Sequence, residues 1–162
     1  MKLRIITTGG TIDKIYFDAK SEFQVGDPQI DVLLSEANVT LEYVLQPLLR
    51  KDSLDMTDDD RRLIAEQADA SPEDRILITH GTDTMVETAR ALLGVEGKTI
   101  VLTGSMQPAR LRISDAIFNI GYAIAAAKML PPGVYIAING RLFDPRKAHK
   151  NVGLNRFEVD IE

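Results

Sequence analysis

The chain has 162 residues, of which 44% are hydrophobic and 27% are charged, and its formal net charge at pH 7 is -5. This length fits one ordinary domain with a substantial buried core, so we expect a single domain over residues 1–162. The acidic balance argues against a nucleic-acid partner. Because the chain has no cysteine, disulfides, thiolate metal sites and cysteine nucleophiles are excluded.

The first predicted strand begins within a few residues of Met1, which leaves no room for a secretion signal before it. The sequence also has no apolar run of the length that a transmembrane helix needs. These two features predict a cytoplasmic protein that has no membrane partner.

The first strand is predicted at residues 3–7, where an apolar, β-branched run leads into Thr8-Gly9-Gly10-Thr11. Residues 12–28 follow as a long connection without a clear period. Since long connections in compact domains often act as lids, we predict a lid here. A second strand, at 39–45, is followed by a helix at 57–70 whose start has Thr57 and Asp60 in a capping-box arrangement.

The same alternation continues through the second half of the chain. Strands are predicted at 75–79, 99–103 and 134–138, and helices at 83–93 and 113–129. After Gly140 the pattern becomes irregular, and no further long helix is predicted. Strands that alternate with helices of this length indicate βαβ units, so the predicted fold is α/β, with a doubly wound, mostly parallel sheet flanked by helices.

Two threonine-bearing loops follow predicted strands, at the sheet edge where α/β proteins bind ligands. In the first, Gly9 and Gly10 let backbone amides approach a ligand, and Thr11 presents a hydroxyl beside them. The spacing of these glycines is not that of a dinucleotide-binding loop. In the second loop, Thr82 and Asp83 are suited to capping a helix. The surplus of hydroxyls in that loop favours a functional site.

A threonine hydroxyl needs a base or a cationic partner to act as a nucleophile at neutral pH. Lys14 and Lys150 are both candidates, and their spacing does not choose between them. His80 and His149 are the only histidines and are too few for an evident metal site. The acids at 58–60 lie at a helix start, where they complement the helix dipole. We therefore predict no metal and no cofactor.

The two loops belong to a longer ordered set of motifs that spans nearly the whole chain. The others are Asp55-Met56-Thr57, Leu102-Thr103-Gly104-Ser105-Met106, Ser114-Asp115 and the late residues Asp144, Arg146 and Lys150. In these motifs the chain resembles the bacterial-type L-asparaginase family, which includes glutaminase-asparaginases. The resemblance implies a Rossmann-like N-terminal domain that hydrolyses L-asparagine to aspartate and ammonia through a covalent acyl-enzyme.

The resemblance also implies roles for individual residues. Thr11 would be the nucleophile, and Thr82, Asp83 and Lys150 would form a second catalytic group that supports the attacking water. Ser53 would hold the substrate carboxylate. Asp83 would also face the substrate ammonium group, and the amides of Gly10 and Thr82 would stabilise the oxyanion.

Three departures from the family pattern bear on substrate binding. The family has a second α/β domain, whereas the resemblance here ends with the first. The lid tyrosine of the family is replaced by Phe23, and Tyr16 is the residue that would substitute for it. The usual glutamine after the matched serine is Leu54. We therefore expect low substrate affinity and weak glutaminase activity.

Two other functions remain open at this point. One is an amidohydrolase that acts on a different amide, and the other is a non-catalytic module that binds an amino acid or regulates a partner. Apolar helix faces and the habit of the family predict a homo-oligomer, either a dimer or a tetramer.

Overall fold

The computed structural model describes residues 1–160. Its strands are β1 (Leu3–Gly9), β2 (Lys14–Phe17), β3 (Glu22–Val25), β4 (Tyr43–Lys51), β5 (Arg75–Thr79), β6 (Thr99–Thr103), β7 (Gly133–Ile138), β8 (Arg141–Phe143), β9 (Ala148–Asn151) and β10 (Arg156–Val159). Its α-helices are α1 (Ile30–Glu36), α2 (Asp58–Asp69), α3 (Met85–Ala91) and α4 (Ala116–Met129). Within residues 1–160, no helix is both long and apolar enough to cross a membrane.

The central sheet has the strand order β4-β1-β5-β6-β7-β8, and all neighbouring pairs are parallel except β7 with β8. The predicted α/β class with a mostly parallel sheet is therefore confirmed. Strand β1 lies between β4 and β5. The next strand of the sheet along the chain, β4, is therefore on one side of β1, and the later strands are on its other side. This reversal opens a crevice at the carboxyl ends of β1 and β5, which is where such sheets bind ligands.

The sheet is buried on both faces, because successive side chains of a strand point to opposite sides and helices cover each side. Ile6, Ile76 and Ile78 pack with α2 and α3, whereas Ile5 and Leu77 pack with α1 and α4. The apolar runs of β1, β5 and β6 reflect this double burial. The five predicted strands are all present in the sheet.

One strand lies later in the chain than predicted, because β4 runs from Tyr43 to Lys51 rather than over 39–45. This strand forms the edge of the sheet and is only partly buried along its length. An edge strand tolerates a proline, and Pro47 lies opposite Thr7 with its side chain exposed. The apolar run therefore marks the approach to β4 and its first three residues, and the rest of the strand mixes Leu48 and Leu49 with polar residues and Pro47.

The segment at 12–28, predicted as an irregular lid, begins with a single 3-10 turn at Thr11–Asp13 and continues as the antiparallel hairpin of β2 and β3. The prediction of a connection without regular structure was wrong. Aromatic residues opposite one another stabilise such hairpins, and here Tyr16 lies opposite Phe23. Ser21 completes the turn with a φ of +51°.

Other differences concern short elements, which carry little periodic signal. Helix α1 was not predicted, and α3 and α4 are shorter at their ends than expected. After Gly140 the described chain forms β8 and the β9–β10 hairpin, with no long helix. The capping box of Thr57 and Asp60 at α2 is confirmed.

Candidate active site

The turn after β1 packs directly against the loop after β5. Gly9 and Gly10 have φ values of +96° and +85°, which side-chain-bearing residues rarely adopt. A Cβ on Gly10 would also lie 2.3 Å from the backbone nitrogen of Gly81, so no side chain fits between the two loops. Backbone contact at this point brings Thr11, which is half-buried, next to the loop that carries Thr82.

A third loop, which follows β4, joins the other two. A Cβ on Gly81 would lie 2.6 Å from the Oγ atom of Ser53, so Ser53 and Gly10 pack against the same residue. The hydroxyl of Thr84 donates a hydrogen bond of 2.7 Å to the Ser53 carbonyl. Ser53 is only 1% exposed and lies buried beneath these loops. The loops after three adjacent strands thus converge.

Thr82, Asp83 and Lys150 form one group although Lys150 is more than sixty residues later in the sequence. The Lys150 Nζ donates to the Thr82 Oγ1 at 2.7 Å and forms a close ion pair with Asp83. The side chain of Lys150 is only 7% exposed. A largely buried ammonium held by a carboxylate can stabilise negative charge or pass a proton to the threonine oxygen.

The other candidate lysine is not part of this group. Lys14 forms an ion pair with Asp52, with 2.7 Å between Nζ and Oδ2. Of the two lysines, the structure brings Lys150 to the second threonine.

Arg90 connects α3 to the chain segment that carries Lys150. Its Nε donates to the Pro145 carbonyl at 2.9 Å, and one terminal nitrogen donates to the Ala148 carbonyl at 3.1 Å. Ala148 is the first residue of β9, and Lys150 is the third. Sequence reasoning did not predict this role. Its only signal is a basic residue at the end of the helix that follows the Thr82 loop, which is a common capping feature.

His80 supports the loop from inside the protein. It is fully buried, with Nδ1 at 2.7 Å from the Gly81 carbonyl and Nε2 at 2.8 Å from the Thr88 hydroxyl. Burial lowers the pKa of His80 to about 4. A neutral imidazole with both nitrogens engaged fixes the backbone before Thr82.

The amide of Gly10 has a backbone partner in this structure. The Gly10 amide was expected to stabilise an oxyanion, and here it donates a 2.9 Å hydrogen bond to the Lys51 carbonyl. This bond ties the turn to β4, and the oxyanion role of the Gly10 amide stays a prediction. Gly10 also contributes its small size and its contact with Gly81.

Tyr16 and Leu54 lie at the exposed side of the site. The Tyr16 ring packs edge-on against Phe23, with centroids 5.5 Å apart. Tyr16 is 53% exposed. Leu54 is 70% exposed, and its amide donates to the Asp52 carboxylate at 3.2 Å. Neither side chain has a described contact with Thr11, Thr82 or Lys150.

Residues 1–160 contain no group of three or more His, Asp or Glu side chains arranged to hold a metal ion. The acids at 58–60 begin α2. Asp60 accepts the Thr57 amide at 2.8 Å and pairs with Lys51, and these contacts hold its pKa below the usual value. This acid is a structural cap, as the sequence indicated.

A buried acid, Asp13, lies in the turn just after Thr11. Burial raises its pKa to about 7, although the Gln29 amide and the charge of Arg50 act in the opposite direction. The Gln29 amide donates to Asp13 Oδ1 at 2.9 Å. No sequence pattern indicates this burial, because Asp13 looks like an ordinary loop acid.

Replacing Asp13 with Asn is expected to stabilise the protein at pH 8 but not at pH 4. A carboxyl whose pKa is higher in the folded state loses stability as pH rises from its unfolded pKa, near 3.8, to its folded pKa, near 7. The amide keeps the acceptor for Gln29 and removes the charge. We expect a gain in the free energy of unfolding of roughly 2 to 4 kcal/mol at pH 8.

Urea unfolding at pH 4, 6 and 8 measures this difference. Protonation of His80 affects both proteins alike and cancels in the comparison. Asp59→Asn, at an exposed site on α2, is the control and should show no such pH trend. An Asp13→Asn gain that is equal at all three pH values would contradict a raised pKa.

Known proteins match this chain over nearly its whole length. The family model of the asparaginase N-terminal domain matches residues 2–157. Glutaminase-asparaginase from Pseudomonas aeruginosa is 33% identical over 164 residues, covering 93% of this chain and 45% of that protein. L-asparaginase 2 from Escherichia coli is 33% identical over 163 residues, covering 91% of this chain and 46% of that protein.

The solved structure of the thermostable L-asparaginase from Thermococcus kodakarensis has the same fold, with a TM-score of 0.80 and 29% identity. It covers 98% of this chain, and this chain covers 51% of it. The chain thus spans about half the length of the relatives it matches. It belongs to the asparaginase family and corresponds to the N-terminal domain of that family.

Proposed function

We propose that this domain carries an L-asparaginase site that hydrolyses L-asparagine through an acyl-enzyme on Thr11. The observation that carries the proposal is the placement of Lys150 against Thr82 and Asp83, beside the loop that holds Thr11. The fold brings Lys150 to Thr82 and Asp83 from a distant part of the sequence, so chance proximity along the chain does not explain this group. The names of the relatives, which are L-asparaginases and glutaminase-asparaginases, support the same reaction.

In the first half of the proposed reaction, the Thr11 hydroxyl attacks the side-chain amide carbon of asparagine. The carbon–nitrogen bond breaks, and the amine leaves as ammonia after it receives a proton. An ester between aspartate and Thr11 remains. In the second half, water attacks this ester, and aspartate leaves while Thr11 regains its proton. Lys150 and Thr82 support the proton transfers, and Asp83 holds the ammonium group of Lys150 in place.

The proposed substrate contacts lie around the same crevice. Ser53 holds the α-carboxylate, and Asp83 faces the α-ammonium group. The Asp83 side chain is partly exposed, so it can meet a substrate while it holds Lys150. The amides of Gly10 and Thr82 are the proposed oxyanion donors. Tyr16 closes over the substrate from the hairpin.

We propose low substrate affinity and a preference for asparagine over glutamine. Phe23 has no hydroxyl, and the exposed, apolar Leu54 offers no polar side-chain contact to the substrate ammonium. Ser53 and the Thr11 turn both pack close to Gly81, which favours the shorter of the two amides. Loss of one substrate hydrogen bond weakens binding by about tenfold.

Steady-state kinetics with both amides, followed by ammonia release, tests the function and its specificity. We expect turnover of asparagine with a KM in the millimolar range, and a kcat/KM for glutamine at least about tenfold lower. Tight asparagine binding would contradict the proposed loss of contacts. Comparable rates on both amides would contradict the proposed selectivity.

The same assay separates the alternatives. If the protein binds aspartate but releases no ammonia, it is an amino-acid-binding module. If it releases ammonia only from another amide, it is an amidohydrolase with a different substrate. The joint presence of Thr11, Thr82, Asp83 and Lys150 favours the asparaginase, because a binding module needs no buried lysine beside a second hydroxyl.

We also propose that the protein forms a homo-oligomer, either a dimer or a tetramer, and acts in the cytoplasm. Helix α4 supports the first point, because Ile117, Phe118 and Met129 are exposed apolar residues on it. Light scattering that gives the mass of one 17.9 kDa chain would contradict self-association.

A further inference from the structure

Two charged side chains join the loop of the proposed nucleophile to the loop of the proposed carboxylate site. Lys14 is the first residue of β2 and directly follows the Thr11–Asp13 turn. Asp52 directly precedes the 3-10 turn at Ser53–Asp55. The distance between Lys14 Nζ and Asp52 Oδ2 is 2.7 Å.

Asp52 also shapes its own turn. Its carboxylate accepts the Leu54 amide at 3.2 Å and thereby caps the turn that contains Ser53. Partial burial raises the pKa of Asp52, but Lys14 and the backbone amides of Leu54 and Ser53 outweigh that effect and hold it below the usual value. The carboxylate is therefore ionised at neutral pH, and it contacts both Lys14 and the turn that contains Ser53.

Thr11 lies between two attachments to the β4 loop. On one side of it, the Gly10 amide donates to the Lys51 carbonyl at 2.9 Å. On the other side, Lys14 pairs with Asp52. The Gly10 bond ties the start of the turn to the end of β4, and the ion pair ties the end of the turn to the residue before Ser53. Together they set the orientation of the turn relative to Ser53.

We propose that the Lys14–Asp52 ion pair is a positioning device, which sets the orientation of the Thr11 hydroxyl relative to the substrate carboxylate held at Ser53. The proposal rests on the proposed asparaginase function. Neither residue touches the reacting atoms. Both side chains are about one-quarter exposed, and such pairs contribute little to global stability. Their effect is therefore on the rate, since small displacements of a nucleophile strongly slow the reaction.

The test compares Lys14→Met, Asp52→Asn, the double variant and Lys14→Arg. Methionine keeps the length of the lysine stem, and asparagine keeps the acceptor for the Leu54 amide. We expect each single variant to lower kcat about tenfold with KM changed less than about threefold. The double variant should be no slower than either single variant, because both remove the same interaction. Lys14→Arg should recover most of the rate.

Hydrogen exchange of the two loops gives a readout that is independent of turnover. Lys14→Met should raise exchange around Ser53, and Asp52→Asn should raise it around Thr11. Asp59→Asn, which breaks an exposed ion pair on α2, is the control and should change neither kcat nor exchange in these loops.

The outcomes distinguish a failure of the positioning role from a failure of the proposed asparaginase function. If the wild type releases ammonia and the variants keep its kcat, the positioning role is overturned while the proposed function stands. Faster exchange with unchanged kcat also overturns it, because the pair is then only structural. If the wild type releases no ammonia from asparagine, the proposed function fails and the positioning role fails with it.

Discussion

Replacement of Thr11 with alanine is expected to lower kcat for asparagine hydrolysis by at least about a thousandfold. The proposed reaction passes through an ester on this hydroxyl, and alanine has no atom that can form it. The fold should not change, because the turn is fixed by the contacts of Gly10 with Gly81 and Lys51. Ammonia release at saturating asparagine measures the effect, and thermal melting confirms folding.

Two further variants make the result specific. Thr11→Ser keeps a hydroxyl and should retain measurable turnover. Thr82→Ala should also slow the reaction, but mass spectrometry after acid quenching should still find an acyl group on Thr11. If Thr11→Ala keeps normal turnover, the nucleophile assignment is wrong, and Thr82 takes its place as the candidate.

The parts of this fold that the sequence predicted well are those with one dominant physical signal. Strands β1, β5 and β6 are buried on both faces, so their central residues are apolar, with Arg4 in β1 as the exception. Edge strand β4 has mixed burial, and apolar pattern alone located only part of it. The β2–β3 hairpin depends on the pairing of Tyr16 with Phe23 across a turn. Such a pair leaves no periodic pattern in the sequence, so the hairpin was not predicted.

The candidate site divides in the same way. Gly10, Thr11 and Thr82 follow predicted strands, so the parallel pairing of those strands is enough to predict that the three residues lie close together. Lys150 lies in a hairpin that was not predicted. Spacing did not choose between it and Lys14, and its match to the family motif was what favoured it. The ion pair of Lys14 with Asp52 was not foreseen, because charged residues in loops are usually solvated.

The sequence also did not predict which acceptor the Gly10 amide has. A glycine-rich turn suggests free amides, but the Gly10 amide is taken by the Lys51 carbonyl. That acceptor belongs to the last residue of β4, the strand whose end was placed too early. The hydrogen bond of the Gly10 amide was therefore missed together with the end of the strand.

Replacement of Lys150 with methionine is expected to reduce kcat by about a hundredfold to a thousandfold. Methionine nearly matches the length of the lysine stem but leaves Thr82 and Asp83 without their cation. If this group supports the attacking water, the second half of the reaction slows more than the first. The acyl-enzyme on Thr11 should then accumulate, and a burst of ammonia equal to the enzyme concentration should precede slow turnover.

The burst distinguishes this role from simple damage to the site. A Lys150→Met variant that has misfolded loses both halves of the reaction and shows no acyl adduct. Lys128→Met on the exposed side of α4 is the matched control and should behave as wild type. Adding Thr11→Ala to Lys150→Met should abolish the burst, because no ester can form. A Lys150→Met enzyme with unchanged kcat would mean that the buried lysine only holds β9 against Thr82, and that water attack needs no help from it.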